Sequence, residues 1–433
     1  MNAAIGLGEF KSGERDAFLA KLTDEVAALV LADNYNQTGA LSVAQSTAVG
    51  DRDAHARFMT SLEREGRLNR TVEGLPSNDT MRERGNRHEG LTRPELAVLL
   101  AYAKLQLFDE INASSVPDDS YYTATLKAYF PRAAAERCPR GLAQHRLRRE
   151  IIGTMLDNDI VNRGGPVFMH RLKEASGVEA PSLVRAYTIA LGTFALDKLN
   201  ARINTLDNKI AAGVQLGMHM KVIGHLTRQT LWFVRHVAPS AAIGETIATF
   251  AKGVESLRGT FSTLVSKAEA QSIEDHIAEL RAAGVPDDLA DDVAALPAMG
   301  ATPDIVRLAV ESGKPIDMVA GAYFAAARTI CIDRLRLAAE RMNLPEHWDR
   351  LAVRRLIDDL FVHQRALAAR ALSNGTQGVD RAAGNLAVET WANAHRDQVD
   401  RVGQLIGDLE RSGAFTVARL TLAASQIRDL LDA

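Results

Sequence analysis

A chain of 433 residues can hold two or three domains, and a content of 46% hydrophobic and 24% charged residues is that of an ordinary globular protein able to bury sizeable cores. A formal net charge of −3 removes charge-driven binding to nucleic acid or to a membrane surface from consideration, and an aromatic content of 5% beside abundant alanine and leucine favours helices over strands. Two cysteines, Cys138 and Cys331, lie far apart without metal-like or redox-like spacing, which fits a reducing compartment, so a cytoplasmic location is expected.

The opening MNAAIGLGEFKSGERD has no basic segment followed by an apolar one, so no signal peptide is expected. No apolar run reaches the roughly 18 residues of a membrane-spanning helix. From Ser12, a cap residue, Phe18, Leu19, Leu22, Val26, Leu29 and Val30 recur at helical spacing, predicting an amphipathic helix that breaks at Asn34 to Asn36. Asp53 to Glu65 repeats the pattern with Phe58, Met59 and Leu62, and Gly66 supplies a stop. Residues 66–90 are polar and read as a connector and boundary, with a cap-like SNDT at 77–80.

The strongest signal is GLTRPELAVLLAYAKLQL at 90–107. Thr92 and Glu95 have the spacing of a capping box and Pro94 sits in the first turn, where a missing N–H costs nothing. Behind them Leu96, Val98, Leu99, Leu100, Tyr102, Ala103, Leu105 and Leu107 surround the helix, leaving Lys104 and Gln106 polar. A surface helix would show one stripe, so this one is expected to be enclosed by others.

SSVPDDSYYTATLKAYFP predicts a turn and a short helix with Tyr122, Leu126, Tyr129 and Phe130 facing inward, limited by Pro131. The run from Gly141 to Pro166 places Leu142, Leu147, Ile151, Ile152, Met155, Leu156 and Ile160 on a broad apolar face and stops at Gly164-Gly165-Pro166. Further helices are expected at about 167–176, 182–204, 209–237 and 241–266. The acidic stretch Ser272 to Pro303 holds two short helical candidates and the loop LPAMGATPD, with Thr302 capping and Pro303 at the first position of the next helix. Helices then continue around Ala320–Arg341, at 346–372 and on either side of Gly413. No segment alternates with period two, and no fixed repeat period supports a solenoid. The fold class is all-α: a multi-helix bundle or array with no substantial sheet.

Reaction signals are sparse. Gly6-Leu7-Gly8 has Lys11 where a third glycine would stand and no convincing strand before it, and no GxxxxGK[ST] occurs, so no cofactor-binding residue is assigned. His219 and His225 are too far apart to share a helical face, no HExxH or CxxC is present, and a helix-surface or capping role is the favoured reading, so no metal ligand is assigned. Cys138 lies between Arg137 and Arg140, cations able to lower a thiol pKa, but no partner base can be named; a half-exposed, inert cysteine is expected and no catalytic residue is assigned. Two polar constellations remain as candidates for interdomain or anion contact. His145, Arg146, Arg148, Arg149 and Glu150 crowd one and a half helical turns beside an apolar face, where an internal ion-pair network is favoured over an anion clamp. Asn162-Arg163-Gly164-Gly165 reads as a helix C-cap before a phosphate nest.

Taken together, LTDEVAALVLADNYNQT (22–38), HARFMTSLEREGRLNR (55–70), GLTRPELAVLLAYAKL (90–105), HRLRREIIGTMLDNDIVNRGG (145–165), VRAY (184–187), LTRQTLWFVR (226–235) and the run from Trp348 to Ala371 resemble the C-terminal region of the large bacterial NAD-dependent glutamate dehydrogenases. The resemblance implies a homo-oligomeric cytoplasmic enzyme that oxidatively deaminates L-glutamate to 2-oxoglutarate and ammonia, passing hydride to NAD. The substrate lysines, the catalytic aspartate and the dinucleotide glycines belong to segments without counterpart here, so none is carried over. It implies a tail of the catalytic part with its connector at 1–75, a first helical group at 76–270 and a second at 271–433. The expected partners are then the catalytic and N-terminal parts of the same enzyme, with no nucleic acid and no membrane. Pro166 and Val167 depart from the family's pattern, in which a threonine is expected after the double glycine. The alternative is a stand-alone helical interaction module.

Overall fold

The computed structural model describes residues 2–344, 347–373, 377–413 and 415–432, and among them there are helices and turns but no strand. The all-α reading holds. Two compact units divide within the helix Ile243–Leu257, one up to Ile247 and one from Ala248.

The first unit is built around α1 (Thr23–Thr47), α2 (Arg52–Arg64), α3 (Arg93–Asn112) and α4 (Arg148–Gly164), followed by α5 (Phe168–Ser176), α6 (Ala180–Thr193), α7 (Leu196–Asn204) and α8 (Ala212–His236). α3 begins as its sequence dictates: Thr92 and Glu95 form the capping box, with the Glu95 carboxylate accepting the Thr92 N–H at 2.7 Å and its hydroxyl at 2.9 Å. Arg84 adds a two-pronged pair to the same carboxylate at 2.7 and 2.8 Å. Leu96, Leu99, Leu100, Ala103, Leu107 and Ile111 of α3 are buried against α4, α1 and α6. The enclosure is incomplete, because Leu105 remains 59% exposed.

Several boundaries differ from the sequence expectation. Asn34 to Asn36 do not break α1, which runs on to Thr47; the weak helix propensity of asparagine is a preference that its context overrides. The polar stretch after Gly66 is folded: Arg70, 6% exposed, donates to Thr60 Oγ1 at 2.8 Å and Asn78 Oδ1 at 2.8 Å, and Ser77 caps the helix Asn78–Asn86 by accepting the Thr80 N–H. Tyr122 and Leu126 face inward as expected, but Tyr129 is exposed, because the helix Thr123–Ala128 ends before reaching it. Leu147 is also exposed, since α4 starts only at Arg148. The expected helix 182–204 is two helices, with Ala195 between α6 and α7 at φ 49°.

In the second unit α9 (Lys267–Ala282) and α10 (Asp287–Met299) pair, and α11 (Thr302–Ser312), α12 (Ile316–Thr329) and α13 (Ile332–Glu340) follow. α14 (His347–Ser373), α15 (Arg381–Ala394), α16 (Arg396–Arg411) and α17 (Val417–Asp432) complete it. Pro297 lies inside α10, so the expected LPAMG loop is helical as far as Met299. Thr302 begins α11 rather than capping it, and its hydroxyl is buried without a hydrogen bond. The enclosed helix of this unit is α12, in which every residue from Met318 to Ala327 is buried. It crosses α15 backbone to backbone: a side chain on Gly384 would run into the Met318 carbonyl, and one on Gly321 into the Arg381 backbone.

One motif occurs in both units. Ala186-Tyr187, Thr193, Asp197 and Leu199 recur as Ala322-Tyr323, Thr329, Asp333 and Leu335, each pair at the same offset in sequence. In both copies the residue two after the threonine, Ala195 or Cys331, takes the left-handed conformation and turns one helix into the next. In both, the fully buried tyrosine gives its hydroxyl to an aspartate that also pairs with an arginine: Tyr187, Asp159 and Arg163 in one, Tyr323, Asp304 and Arg365 in the other.

Candidate functional site

The arginine-rich turn is the first place the sequence directs attention to. Its residues do not share one helix, because His145 to Leu147 form a turn ahead of α4. His145 accepts the Leu147 N–H on Nδ1 at 3.2 Å and packs its ring on Phe130, while Arg146 points outward and is exposed. Arg148 donates to the Pro117 carbonyl at 3.3 Å. Arg149 donates to the carbonyls of Asn112 and Ser114 at 2.9 and 2.8 Å and pairs with Asp118. Those carbonyls lie at the C-terminal end of α3, where helix carbonyls lack partners and the dipole favours a cation. Both guanidinium groups are thus turned onto the protein's own backbone.

The second constellation sits at the far end of α4. Gly165, at φ 83°, ends the helix and donates to the Val161 carbonyl at 2.9 Å. Arg163 turns back one helical turn to Asp159 at 2.7 Å, and Tyr187 of α6 donates to the other Asp159 oxygen at 2.7 Å. Burial works to lower the Arg163 pKa, but the charge and hydrogen bond of Asp159 together with Tyr187 and Asp197 outweigh it and the net shift is upward; burial also holds the Tyr187 phenol neutral. The same guanidinium field, added to burial, takes His219 of α8 down to about 4, and that ring bonds Asn200 at 3.1 Å. Asn162 Oδ1 is buried without a hydrogen-bond partner. The sequence reading missed this Asp159–Arg163–Tyr187 network, although the i,i+4 spacing of Asp159 and Arg163 signals the ion pair.

A further buried carboxyl escaped notice. Burial lifts Asp157 of α4 to about 7 despite the charge of Lys104 on α3, and burial lowers Lys104 in turn. His55, 1% exposed in α2, is held by burial at about 4, against the pull of Asp51.

Other expectations are corrected. Cys138 is buried, not half-exposed, and its thiol is pushed up by burial and by Glu9. Arg137 stacks on the rings of Phe10 and Phe18, at 4.5 and 5.3 Å from their centroids, and the downward pull of its charge on the thiol is outweighed by burial and Glu9. His225 is neither a surface nor a capping residue; it is fully buried with its ring 4.4 Å from that of Phe194. Gly6 is the last residue of a short helix, Asn2–Gly6, and Gly8 lies beyond it at φ 71°. Among the described residues no three His, Cys, Asp or Glu side chains are grouped to hold a metal ion, and no single helix is long and apolar enough to cross a membrane.

The most conspicuous surface is on α1. Every residue from Thr23 to Gly39 is exposed, and this length includes the apolar run VAALVLA at 26–32. The amphipathic helix expected there therefore lacks its cover: Val26, Leu29 and Val30, placed by periodicity on the inner face, are 45, 40 and 54% exposed. Beside it a recess of about 820 Å³ opens, floored by Ala28, Leu29 and Phe130 and rimmed by Glu25, Lys127 and Arg132.

Comparison with known proteins accounts for a chain with so many structural contacts and so few reactive ones. The family described as "Glutamate dehydrogenase, C-terminal" matches residues 88–429. The NAD-specific glutamate dehydrogenase of Halomonas elongata is 32% identical over 432 residues, covering 100% of this chain and 26% of that protein. Those of Pseudomonas aeruginosa and Mycobacterium tuberculosis are each 31% identical, covering 99% of this chain and 26% of their own length. The chain thus spans about a quarter of the length of the curated relatives it matches. On the extent and continuity of these matches, the chain belongs to the glutamate dehydrogenase C-terminal family.

Proposed function

We propose that this chain is the helical C-terminal part of an NAD-specific glutamate dehydrogenase, silent by itself, that packs against the catalytic polypeptide and supports a cytoplasmic homo-oligomer. The observation that carries the reading is the match of essentially the whole chain to one quarter of enzymes with that name. Oxidation of glutamate and binding of NAD are then hosted by polypeptide outside this quarter. Arginines committed to internal carbonyls and carboxylates support that division. The start of the family match at residue 88 supports assigning the first helices to the end of the catalytic part.

A replacement experiment tests the supporting role. In the Pseudomonas aeruginosa enzyme the matching quarter is exchanged for this chain, and in a second version it is deleted. The exchanged enzyme is expected to oxidise glutamate with NAD and the deleted one to lose activity. Full activity in the deleted enzyme would overturn the reading.

A further inference from the structure

The exposed length of α1 does not behave as a surface helix. Seventeen residues of helix are about 25 Å long, and the bonds they make to the rest of the described unit are polar, Gln37 with Lys104 and Glu25 with the Ala133 N–H among them, so a helix of that length with so little apolar packing is marginal in water. Its apolar groups are not gathered in one stripe. At about 100° per residue, Leu29 and Leu31 point to nearly opposite sides, and Leu31 is 68% exposed. Val26 and Val30 occupy a third direction, at 45 and 54% exposure. α1 also carries polar residues, Asp24, Glu25 and Asp33 among them, but its apolar side chains stand exposed in three directions, which marks a surface that a partner covers.

What encloses it is narrowed by two observations. A second copy of the same helix would form a seam along one stripe, leaving the opposite side bare, so the cover is a body that wraps the helix. The length of polypeptide outside this chain supplies one: the relatives match all of α1, yet nearly three quarters of each lies beyond the match. The C-terminal family itself begins only at residue 88, after α1 and α2.

The geometry points to α1, with the recess against Phe130, as the docking surface for the remaining polypeptide of the same enzyme, which closes around Leu29, Leu31 and Val26 with an apolar surface. This rests on the functional reading above and specifies its interface. The recess beside Ala28 and Leu29 receives side chains from that polypeptide, and the charges at its rim, Glu25, Lys127 and Arg132, fix their orientation.

The test uses this chain and the intact Pseudomonas aeruginosa enzyme. Hydrogen exchange of residues 23–39 in the chain alone is expected to be fast, and exchange of the matching segment in the intact enzyme slower by about a hundredfold or more, while α3 is equally protected in both. A photo-crosslinking residue placed in the intact enzyme at the position aligned with Leu31 is expected to join polypeptide outside the matching quarter. Fast exchange in both proteins, protection already present in the chain alone, or a crosslink to the matching quarter of another copy would each overturn the proposal. Because a bare α1 in an intact enzyme that still needs its C-terminal quarter would sink only this interface, the result is separable from that of the replacement experiment.

Discussion

Two groups, the half-buried His219 and the buried Asp157, put opposite slopes on the stability of the first unit. His219 is held near 4, so the folded state refuses a proton that the unfolded chain takes up below 6.5; its contribution is intact above 6.5 and is lost as pH falls toward 4, by on the order of 3 kcal/mol. Asp157, held near 7, keeps a proton the unfolded chain releases near 3.8, so it costs stability as pH rises through that window. His219→Gln is therefore expected to flatten the acid limb of a urea-stability profile, and Asp157→Asn to stabilise the protein more at pH 8 than at pH 4. Unchanged profiles in both variants would contradict the burial described here. Arg149→Ala removes the donors to two helix-end carbonyls and is expected to lower stability by about 1–2 kcal/mol, read from the shift of the urea midpoint. At this scale the sequence was partly legible. The crowding of Arg148 and Arg149 beside an apolar face announced an internal partner, but apart from Asp118 the partners are backbone carbonyls, which leave no trace in composition. Cys138 misled because burial and the charge of Glu9, neither visible in its local sequence, outweigh the pull of its neighbour Arg137.

Helices were legible where caps and apolar periodicity agree, as at α3, and misjudged where tertiary contacts decide. The turns at Ala195 and Cys331 fell inside continuous helical patterns because neither residue is a breaker; only the left-handed backbone shows the junction. A non-glycine residue there costs about 1 kcal/mol, so Ala195→Gly is expected to raise stability by roughly 0.5–1 kcal/mol, seen as a higher thermal midpoint. The converse holds at the crossing of α12 and α15, where Gly384→Ala forces two backbones apart and is expected to cost about 2 kcal/mol or more by chemical denaturation. The alanine and glycine content of AGAYFAAA around Tyr323 was the visible sign of that close approach, and it marks a helix more thoroughly enclosed than α3. α1 shows the limit of pattern reading: its apolar residues were legible, but no local signal reveals that the described residues leave them exposed.

At the scale of the molecule, two helical units each carry a buried tyrosine bound to an aspartate–arginine pair at the same step of a recurring helix turn, and those polar groups fix packing. Ionisable groups spent in this way are satisfied by the fold. All-α architecture was fully legible from the absence of period-two patterning and the abundance of caps. Membership of the glutamate dehydrogenase C-terminal family was legible from segments spread over the whole length, beyond what any single motif conveys. The division of labour proposed for the enzyme is tested most directly by incubating the purified chain with L-glutamate and NAD and following NADH. The account predicts no NADH above the rate without protein, and sustained NADH formation that requires glutamate would contradict it.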